Sequence, residues 1–312
     1  MHKYVIRRVL LLIPIILGVT FIVYFILALT PGDPARFILG SNATDASVEA
    51  LREQLGLNKP IILRYFTYLA KALRGDFGLS YSDSRPVFDS ILVRWPVTVK
   101  LALFSTFLSM VIGIPAGIIS ALKHRSRIDV SFTLVSMIML GMPSFWLALV
   151  LMLVFSLSLR WFPSSGIGGW QHFILPVATM SIGTSASLMR LVRSTMLDTI
   201  KQDYIITARA KGAPERVVIL RHALKNALMI IITQIGLTFT ALLAGAVLIE
   251  QVYGLPGLGT LTLIAIRSKD IPMVMGTTIF MAIISTLMIL LLDIIYAWID
   301  PRIKAKYVGG SH

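Results

Sequence analysis

Long stretches without a charged residue are the feature that most constrains how this chain of 312 residues can fold. A helix needs about 20 apolar residues to cross the hydrocarbon core of a bilayer. Six stretches lack Asp, Glu, Lys and Arg, namely 9–32, 101–122, 130–159, 173–189, 226–249 and 271–292. The fourth is the shortest, but Arg190 and Arg193 at its end have long side chains that can reach the membrane surface. The pattern predicts an all-α integral membrane protein with six transmembrane helices.

The composition agrees with a membrane protein and argues against a soluble one. Hydrophobic residues make up 56% of the chain and charged residues only 14%, whereas soluble domains carry about 25% charged residues. The formal net charge of +14 could indicate a nucleic-acid partner, but such a partner requires a basic patch on a polar face. Here the basic residues cluster at the ends of apolar runs, as in membrane proteins. The chain has no cysteine, which excludes disulfides and thiolate metal sites.

The basic residues predict which side of the membrane each segment occupies. The first run follows Lys3, Arg7 and Arg8. It is too long for a signal peptide and lacks a small-x-small cleavage site, so an uncleaved anchor at about residues 9–30 is predicted. With a cytoplasmic amino terminus, the inner segments are 123–129, 190–225 and 300–312, and with that terminus they hold 17 of the 29 Lys and Arg residues. This bias predicts a multi-pass protein of the cell (inner) membrane with both termini in the cytoplasm.

Run 130–159 is longer than one crossing requires. Gly141 and Pro143 lie near its middle, and a proline removes a backbone hydrogen bond and kinks a helix. We therefore expect a short interfacial piece that leads into the true span. The predicted organisation has an amino-terminal region at 1–96, a core of five spans at 97–299 and a cytoplasmic tail at 300–312.

The long outer loop between the first two spans also has a pattern. Apolar residues recur at helical spacing over 45–55 and 61–73, with a break at Gly56 and Pro60. The pattern predicts two small amphipathic helices on the outer face. It leaves open whether they cap the spans or dock a soluble partner.

The most informative polar segment lies between the fourth and fifth spans. Helix-forming residues cover 203–211, Gly212 then ends the helix, and Pro214 suits the start of the next one. Eight basic and three acidic residues fall within 190–225. A short exposed helix could insert into a groove of another protein, or a basic amphipathic helix could rest on anionic lipid. Charge and periodicity alone favour the lipid interpretation.

Several motifs decide between these two interpretations. The most specific one is Asp203-Tyr204-Ile205-Ile206-Thr207-Ala208-Arg209-Ala210-Lys211-Gly212. The others follow in order at 30–35, 75–80, 85–87, 143–146, 250–259 and 293–302. Together they resemble the B-type permease subunit of ABC importers of the dipeptide/oligopeptide/nickel family, which depend on a binding protein. The first motif is similar to the cytoplasmic "EAA" loop of those permeases, and we call residues 190–226 the coupling loop.

The resemblance implies a type I ABC importer transmembrane fold within a larger complex. That complex has a second homologous permease subunit, two cytoplasmic ATPase subunits that bind ATP and Mg, and an extracytoplasmic substrate-binding protein. The chain itself is expected to carry no catalytic residue, cofactor or metal. The residues expected to couple to the ATPase are Asp203, Tyr204, Thr207, Ala208, Arg209, Ala210, Lys211 and Gly212.

Two of these residues match the family motif, and two neighbouring positions depart from it. Ala208 and Gly212 match its conserved alanine and glycine, whereas Ile206 replaces the glutamate of the general motif and Thr207 replaces an alanine. We expect buried contacts such as that of Ala208 to supply the docking energy. Arg209 and Lys211 could then pair with acids of the ATPase, although exposed pairs contribute only about 0–1 kcal/mol each.

Other functions remain as alternatives. An ion-coupled secondary transporter would show ionisable residues at mid-membrane and an internal repeat, and an intramembrane enzyme would need a catalytic set within the spans. Glu250 and Asp293 lie only at the edges of apolar runs, where interfacial pairing is expected. The five histidines form no i, i+4 pair, so no nickel site is predicted. The cargo stays open among di- and oligopeptides, glutathione and nickel chelates.

Overall fold

The computed structural model describes residues 2–40 and 42–299, most of which are helical. The helices in chain order are α1 (His2–Leu29), α2 (Pro34–Leu39), α3 (Asp45–Gln54), α4 (Ile61–Ala72), α5 (Val87–Leu122), α6 (Arg127–Gly141), α7 (Ser144–Leu151), α8 (Gln171–Ile200), α9 (Asp203–Ala210), α10 (Glu215–Val217), α11 (Leu224–Gly245), α12 (Val247–Val252), α13 (Leu258–Arg267) and α14 (Ile271–Ile299). Two π-helical segments, Met152–Ser158 and Val218–Ala223, continue α7 and join α10 to α11.

Each predicted apolar run is mostly helical. Among the described residues, four helical segments are long and apolar enough to cross a membrane, namely Val87–Leu122, Gln171–Ile200, Glu215–Ala244 and Ile271–Leu292. The pair α6 and α7, with its π-helical extension, is a fifth candidate. The first run falls in α1, where the apolar part is the shorter helical stretch Ile13–Leu29. The predicted all-α membrane fold is confirmed.

The predicted break in run 130–159 is present, but its two arms are equal. Arg127–Gly141 and Ser144–Ser158 meet at an angle of 99°, and Pro143 is the residue just before the second arm. Both α6 and α7 pack against α8. The expectation of a short piece before a longer span was therefore wrong. The proline fixes where the backbone turns, but it does not determine how long each arm is.

The chain divides into two compact units. One comprises the chain up to Thr98 together with Pro256–Leu287, and the other comprises Val99–Leu255 together with the residues from Met288 onward. The core of the first unit contains Val87, Ile91, Leu258, Met273 and Val274. A second cluster in the same unit contains Tyr24, Tyr65, Ile271 and Met275. The predicted tail at 300–312 lies outside the described residues.

The two helices predicted in the outer loop are confirmed as α3 and α4, within one residue at their ends. Tyr65 of α4 is buried against α1, where its hydroxyl lies 3.0 Å from the Thr20 hydroxyl and donates to the Leu17 carbonyl at 2.9 Å. Leu17 lies about 18 Å from the end of α1 at 1.5 Å per residue. α4 therefore packs along the side of α1 instead of capping its end.

In the second unit, α5 and α8 approach each other closely through small residues of α5. Ser109 hydrogen-bonds to the hydroxyl of Thr184. One and two turns further on, Gly113 and Gly117 bring the two backbones together. A Cβ atom at Gly117 would lie only 2.7 Å from the Met189 carbonyl oxygen. Such small residues at every fourth position allow close helix packing, and here they fix α8, which leads directly into the coupling loop.

Candidate functional site

The coupling loop contains the short helix that the sequence predicts. α8 ends at Ile200, and α9 then runs over Asp203–Ala210, one residue short of the predicted end. Pro214 precedes the first residue of α10, as predicted. All eight residues expected to couple to an ATPase therefore lie on the two turns of α9 or on the tight turn that follows it.

Gly212 ends α9 through backbone geometry that other residues adopt only with strain. Its φ angle is +78°, in the left-handed region that favours glycine. The Gly212 N–H donates to the Arg209 carbonyl at 2.9 Å, and the Ala213 N–H donates to the Ala208 carbonyl at 3.3 Å. These two bonds form a Schellman motif, which satisfies carbonyl groups at the end of a helix. The chain thus reverses sharply within two residues of α9.

α9 is anchored to the rest of the second unit through one face. Ile205 is fully buried. It belongs to a hydrophobic cluster with Leu188, Val192, Met196, Val218, Ala223, Ala227 and Ile231. Ala208 and Ala213 are partly buried and pack against the same cluster. Because Ala208 contacts its own chain, the expectation that it mainly supplies docking energy to a partner is not supported by its position.

The opposite side of α9 is exposed and partly apolar. Tyr204 is 44% exposed and Ile206 is 56% exposed. Thr207, Ala210 and Lys211 are exposed as well. An exposed isoleucine beside an exposed tyrosine is a surface suited to contact with an apolar groove. The sequence motif did not distinguish this outward set from the inward Ile205 and Ala208.

Arg209 is engaged within its own loop. Its Nε donates to Glu215 Oε2 at 3.1 Å and its Nη2 donates to Glu215 Oε1 at 2.6 Å. These hydrogen bonds raise the pKa of the Arg209 guanidinium. The two charges lie on either side of Gly212, so the pair closes the turn. The sequence hypothesis instead left Arg209 available for an acid of a partner.

A buried ion pair near the start of the loop was missed by the sequence analysis. Asp129 of α6 is 2% exposed and accepts hydrogen bonds from Arg193 of α8, with Nε to Oδ1 at 2.6 Å and Nη2 to Oδ2 at 2.8 Å. The Ser120 hydroxyl and the Arg125 N–H donate to the same carboxylate, and His124 Nδ1 lies 3.4 Å from it. Arg193 therefore holds α6 to α8 instead of simply extending to the membrane surface.

Of the two acidic residues at the edges of apolar runs, Glu250 and Asp293, the structure describes the side chain of Glu250 alone. The Glu250 side chain is fully buried in the second unit, and its expected interfacial pairing stays a prediction. The backbone carbonyl of Glu250 accepts from the Leu255 N–H at 2.7 Å, which closes the turn after α12. The side chain of Asp293 lies outside the described residues.

Comparison with protein families covers nearly the whole chain. Residues 113–305 match the family described as "Binding-protein-dependent transport system inner membrane component". Residues 1–102 match the family described as "Binding-prot-dependent transport system membrane comp, N-term". The match includes the whole coupling loop.

Individual relatives are similar over their full length. The chain is 39% identical to the oligopeptide transport system permease protein AppB of Bacillus subtilis (strain 168), over 97% of this chain and 100% of the relative. It is 37% identical to the glutathione transport system permease protein GsiC of Escherichia coli (strain K12), over 98% of this chain and 100% of the relative. Among solved structures, the inward-facing MetNI methionine ABC transporter matches with a TM-score of 0.57 and 18% identity, over 67% of this chain and 96% of the other. At that identity the structural match supports the fold alone.

Proposed function

Because the chain belongs to the family of binding-protein-dependent transport system inner membrane components, we propose that it forms half of the translocation pathway of an ATP-driven peptide importer and is moved through its coupling loop. The observation that carries the proposal is the exposed face of α9, which contains Tyr204 and Ile206. This face is attached rigidly to the spans by Ile205, by the Gly212 turn and by the pair of Arg209 and Glu215.

Rigid attachment is what such a coupling element requires. An ATPase dimer that opens and closes as rigid bodies can move a membrane helix only through an element that does not bend under load. Ile205 belongs to the same hydrophobic cluster as Val192 and Met196 of α8 and Ile231 of α11. A displacement of α9 would therefore be transmitted to two spans together. Tyr204, Ile206, Thr207 and Lys211 are proposed to touch the ATPase, while Ile205 and Ala208 hold the helix in place.

The proposed partners are those of the family, and the proposed orientation in the membrane rests on the distribution of basic residues. They are a second homologous permease subunit, two ATPase subunits that bind ATP and Mg, and an extracytoplasmic binding protein. The coupling loop and both termini are proposed to be cytoplasmic, because the inner segments hold 17 of the 29 Lys and Arg residues. The chain is proposed to have no catalytic role of its own.

The proposed cargo is a short peptide. One relative is named for oligopeptides and another for glutathione, and glutathione is itself a small peptide. Glutathione is therefore a second candidate cargo. A nickel chelate remains a weaker alternative, because only the resemblance to the wider permease family suggests it.

Crosslinking tests whether the exposed face of α9 meets an ATPase. The chain has no native cysteine, so an Ile206→Cys substitution introduces the single thiol of this subunit. In the assembled transporter it should crosslink to an ATPase subunit, and the yield should change between ATP-bound and ATP-free states. Leu157→Cys, at a residue that is 60% exposed on the π-helical segment after α7, is the control and should give no such product. An Ile206→Cys thiol that reacts only with lipid-soluble probes would contradict the proposal.

Uptake by reconstituted transporter tests the mechanism. Gly212→Pro removes the N–H that bonds to Arg209 and forbids the positive φ angle. It should abolish ATP-dependent peptide uptake while the complex still inserts and assembles. The secondary-transporter alternative would be favoured instead if wild-type uptake followed an ion gradient without ATP.

A further inference from the structure

A cavity of about 720 Å³ lies in the first unit, beside the last turns of α1. Its apolar lining includes Val23, Ile26 and Leu27 of α1 with Ile266 of α13 and Val274 of α14. Its charged lining consists of Arg36, Arg52, Arg64, Lys269 and a single acid, Asp33. Basic groups therefore outnumber the acid in the lining. Such a lining suits a ligand that is anionic at one end and apolar at the other.

Two of the basic groups are already balanced by carboxylates. Arg36 pairs with Asp45. Arg52 lies 3.5 Å from Asp33 and 3.4 Å from Glu49. These pairs account for the acid in the lining, so the surplus charge of the cavity resides on the other two basic residues.

Arg64 and Lys269 make no ion pair within the part of the chain that the structure describes. Arg64 Nη1 donates to the Leu57 carbonyl at 3.3 Å, and its guanidinium lies 5.9 Å from the centre of the Tyr24 ring. Each side chain therefore has a defined place but no neutralising partner. An anion in the cavity would supply that partner, with hydrogen bonds to charged donors.

Lys269 is held in place by unusual backbone geometry. Its φ angle is +54°, a conformation that residues other than glycine rarely adopt. Its Nζ donates to the Thr30 carbonyl at 3.4 Å, just past the end of α1. A Cβ atom at Gly32 would lie 2.1 Å from this Nζ, so the glycine makes room for the ammonium group. Strained residues concentrate at functional sites, and this one places a positive charge at the end of a membrane helix.

The surroundings of the cavity are apolar and exposed. Ile26 and Ile266 line it and remain about half exposed, and Ile62, Leu63 and Phe66 are exposed on the neighbouring α4. Together they give the cavity an apolar rim, which the acyl chains of a lipid would cover. The basic groups lie beside the last turns of α1, and a lipid at the end of a span would present its phosphate to such groups.

We propose that this cavity binds an anionic phospholipid, whose phosphate is held by Arg64 and Lys269 and whose acyl chains lie along the exposed side of α1. A free phosphate would use only the charged part of the lining and would fill little of the volume. An acidic segment of a soluble protein would not require the exposed isoleucines. The lipid would brace α1 against α4 and α13, which belong to the same unit as the cavity.

Native mass spectrometry of the complete transporter tests the proposal. The complex is purified in detergent and titrated with phosphatidylglycerol or, separately, phosphatidylcholine. We expect phosphatidylglycerol to be retained preferentially by wild type. A basic residue near a membrane surface strengthens binding of anionic lipid about fivefold, so Arg64→Gln/Lys269→Gln should weaken retention about 30-fold. The conservative variant Arg64→Lys/Lys269→Arg should keep most of it.

A matched control separates this site from general surface charge. Lys71→Gln/Arg74→Gln removes the same charge from exposed positions of the same outer segment and should leave retention unchanged. Equal retention of the two lipids by wild type would overturn the proposal. So would an equal loss of phosphatidylglycerol retention in Arg64→Gln/Lys269→Gln and in the control Lys71→Gln/Arg74→Gln. Displacement of the lipid by millimolar inorganic phosphate would overturn it in favour of a free-anion site. If Arg64→Gln/Lys269→Gln kept its lipid binding but captured the binding protein more weakly, the proposal would be overturned in favour of a protein contact.

Discussion

Arg209 and Glu215 are six residues apart and form a two-pronged ion pair across the turn at Gly212, with nitrogen-to-oxygen distances of 3.1 and 2.6 Å. Both side chains are substantially exposed, at 40% and 55%. Exposed pairs contribute only about 0–1 kcal/mol to stability. A bidentate contact nevertheless fixes geometry. The main consequence of the pair is therefore the orientation of α9, whose outer face carries Tyr204 and Ile206.

Reversing the charges of this pair tests that consequence. Arg209→Glu places two carboxylates together and should reduce ATP-driven uptake about three- to fivefold, as expected when an interaction of about 1 kcal/mol is lost. Glu215→Arg should have a similar effect. The double variant Arg209→Glu/Glu215→Arg restores the attraction and should recover most of the uptake, measured in proteoliposomes at equal protein content.

The neighbouring Arg216 provides the control for this experiment. Arg216→Glu makes the same charge change at the exposed residue that follows Glu215. It should affect uptake less than Arg209→Glu. If the double reversal were as inactive as the single variants, the orientation role of the pair would be disproved. Arg209 itself would then be the group that meets the ATPase.

Close packing of α5 on α8 gives a prediction about stability. In Gly117→Ala, the new Cβ would lie 2.6 Å from Val192 Cβ and 2.7 Å from the Met189 carbonyl oxygen. Overpacking of this kind costs about 1–3 kcal/mol, so the thermal unfolding temperature of the purified complex should fall. Gly183→Ala in α8 meets no atom within 4 Å and should be neutral or stabilising by up to about 1 kcal/mol. Equal unfolding temperatures for the two variants would contradict the packing seen here.

Local signals in the sequence predicted much of this structure. Apolar runs located the membrane helices because the bilayer requires long uncharged segments. Gly212 and Pro214 located the end of α9 and the start of the next helix, because each residue has a backbone preference that acts over one or two positions. The outer-loop helices were found for the same reason, since their periodicity is contained within about three turns.

Contacts between distant parts of the chain could not be predicted in this way. Arg193 lies 64 residues from its partner Asp129, and nothing in the local sequence indicates that the two meet. The side of α9 that is buried was also undetermined, because Ile205 and Ile206 are chemically identical neighbours. Only the packing of Ile205 against Val218 and its cluster distinguishes them.

Asp270 gives a third prediction, within the first unit. Its buried carboxylate accepts from the Ser80 hydroxyl at 2.5 Å and from the Ser82 N–H at 3.3 Å, and it caps α14 through the Met273 N–H at 3.2 Å. Asp270→Ala leaves the buried Ser80 hydroxyl and Met273 N–H without an acceptor, which costs about 1–3 kcal/mol. The unfolding temperature should fall accordingly. Asp83→Ala, at an exposed acid next to Ser82 in the segment between α4 and α5, should change stability by less than about 0.5 kcal/mol. Similar losses in both variants would show that Asp270 has no special role.

The ion pair of Asp129 and Arg193 gives the last prediction. Arg193→Ala leaves a buried carboxylate with only the Ser120 hydroxyl, the Arg125 N–H and the partly exposed His124 near it. Removing one partner of a fully buried pair costs about 3–5 kcal/mol, because the remaining charge is uncompensated. The Arg193 side chain is 25% exposed, so the loss here should be smaller, because water can partly solvate the remaining carboxylate. Thermal unfolding of the purified complex should show this loss, and the amount of complex in membranes should fall with it.

A double substitution distinguishes an uncompensated charge from a general loss of packing. Asp129→Ala/Arg193→Ala removes both charges and should be more stable than Arg193→Ala alone, since no carboxylate is left buried without its partner. Arg190→Ala, at an exposed position one turn earlier in α8, should be close to wild type. If the double variant were no more stable than Arg193→Ala, packing by the arginine stem would hold α6 to α8. The two hydrogen bonds to Asp129 would then contribute little to the position of the helix that leads into the coupling loop.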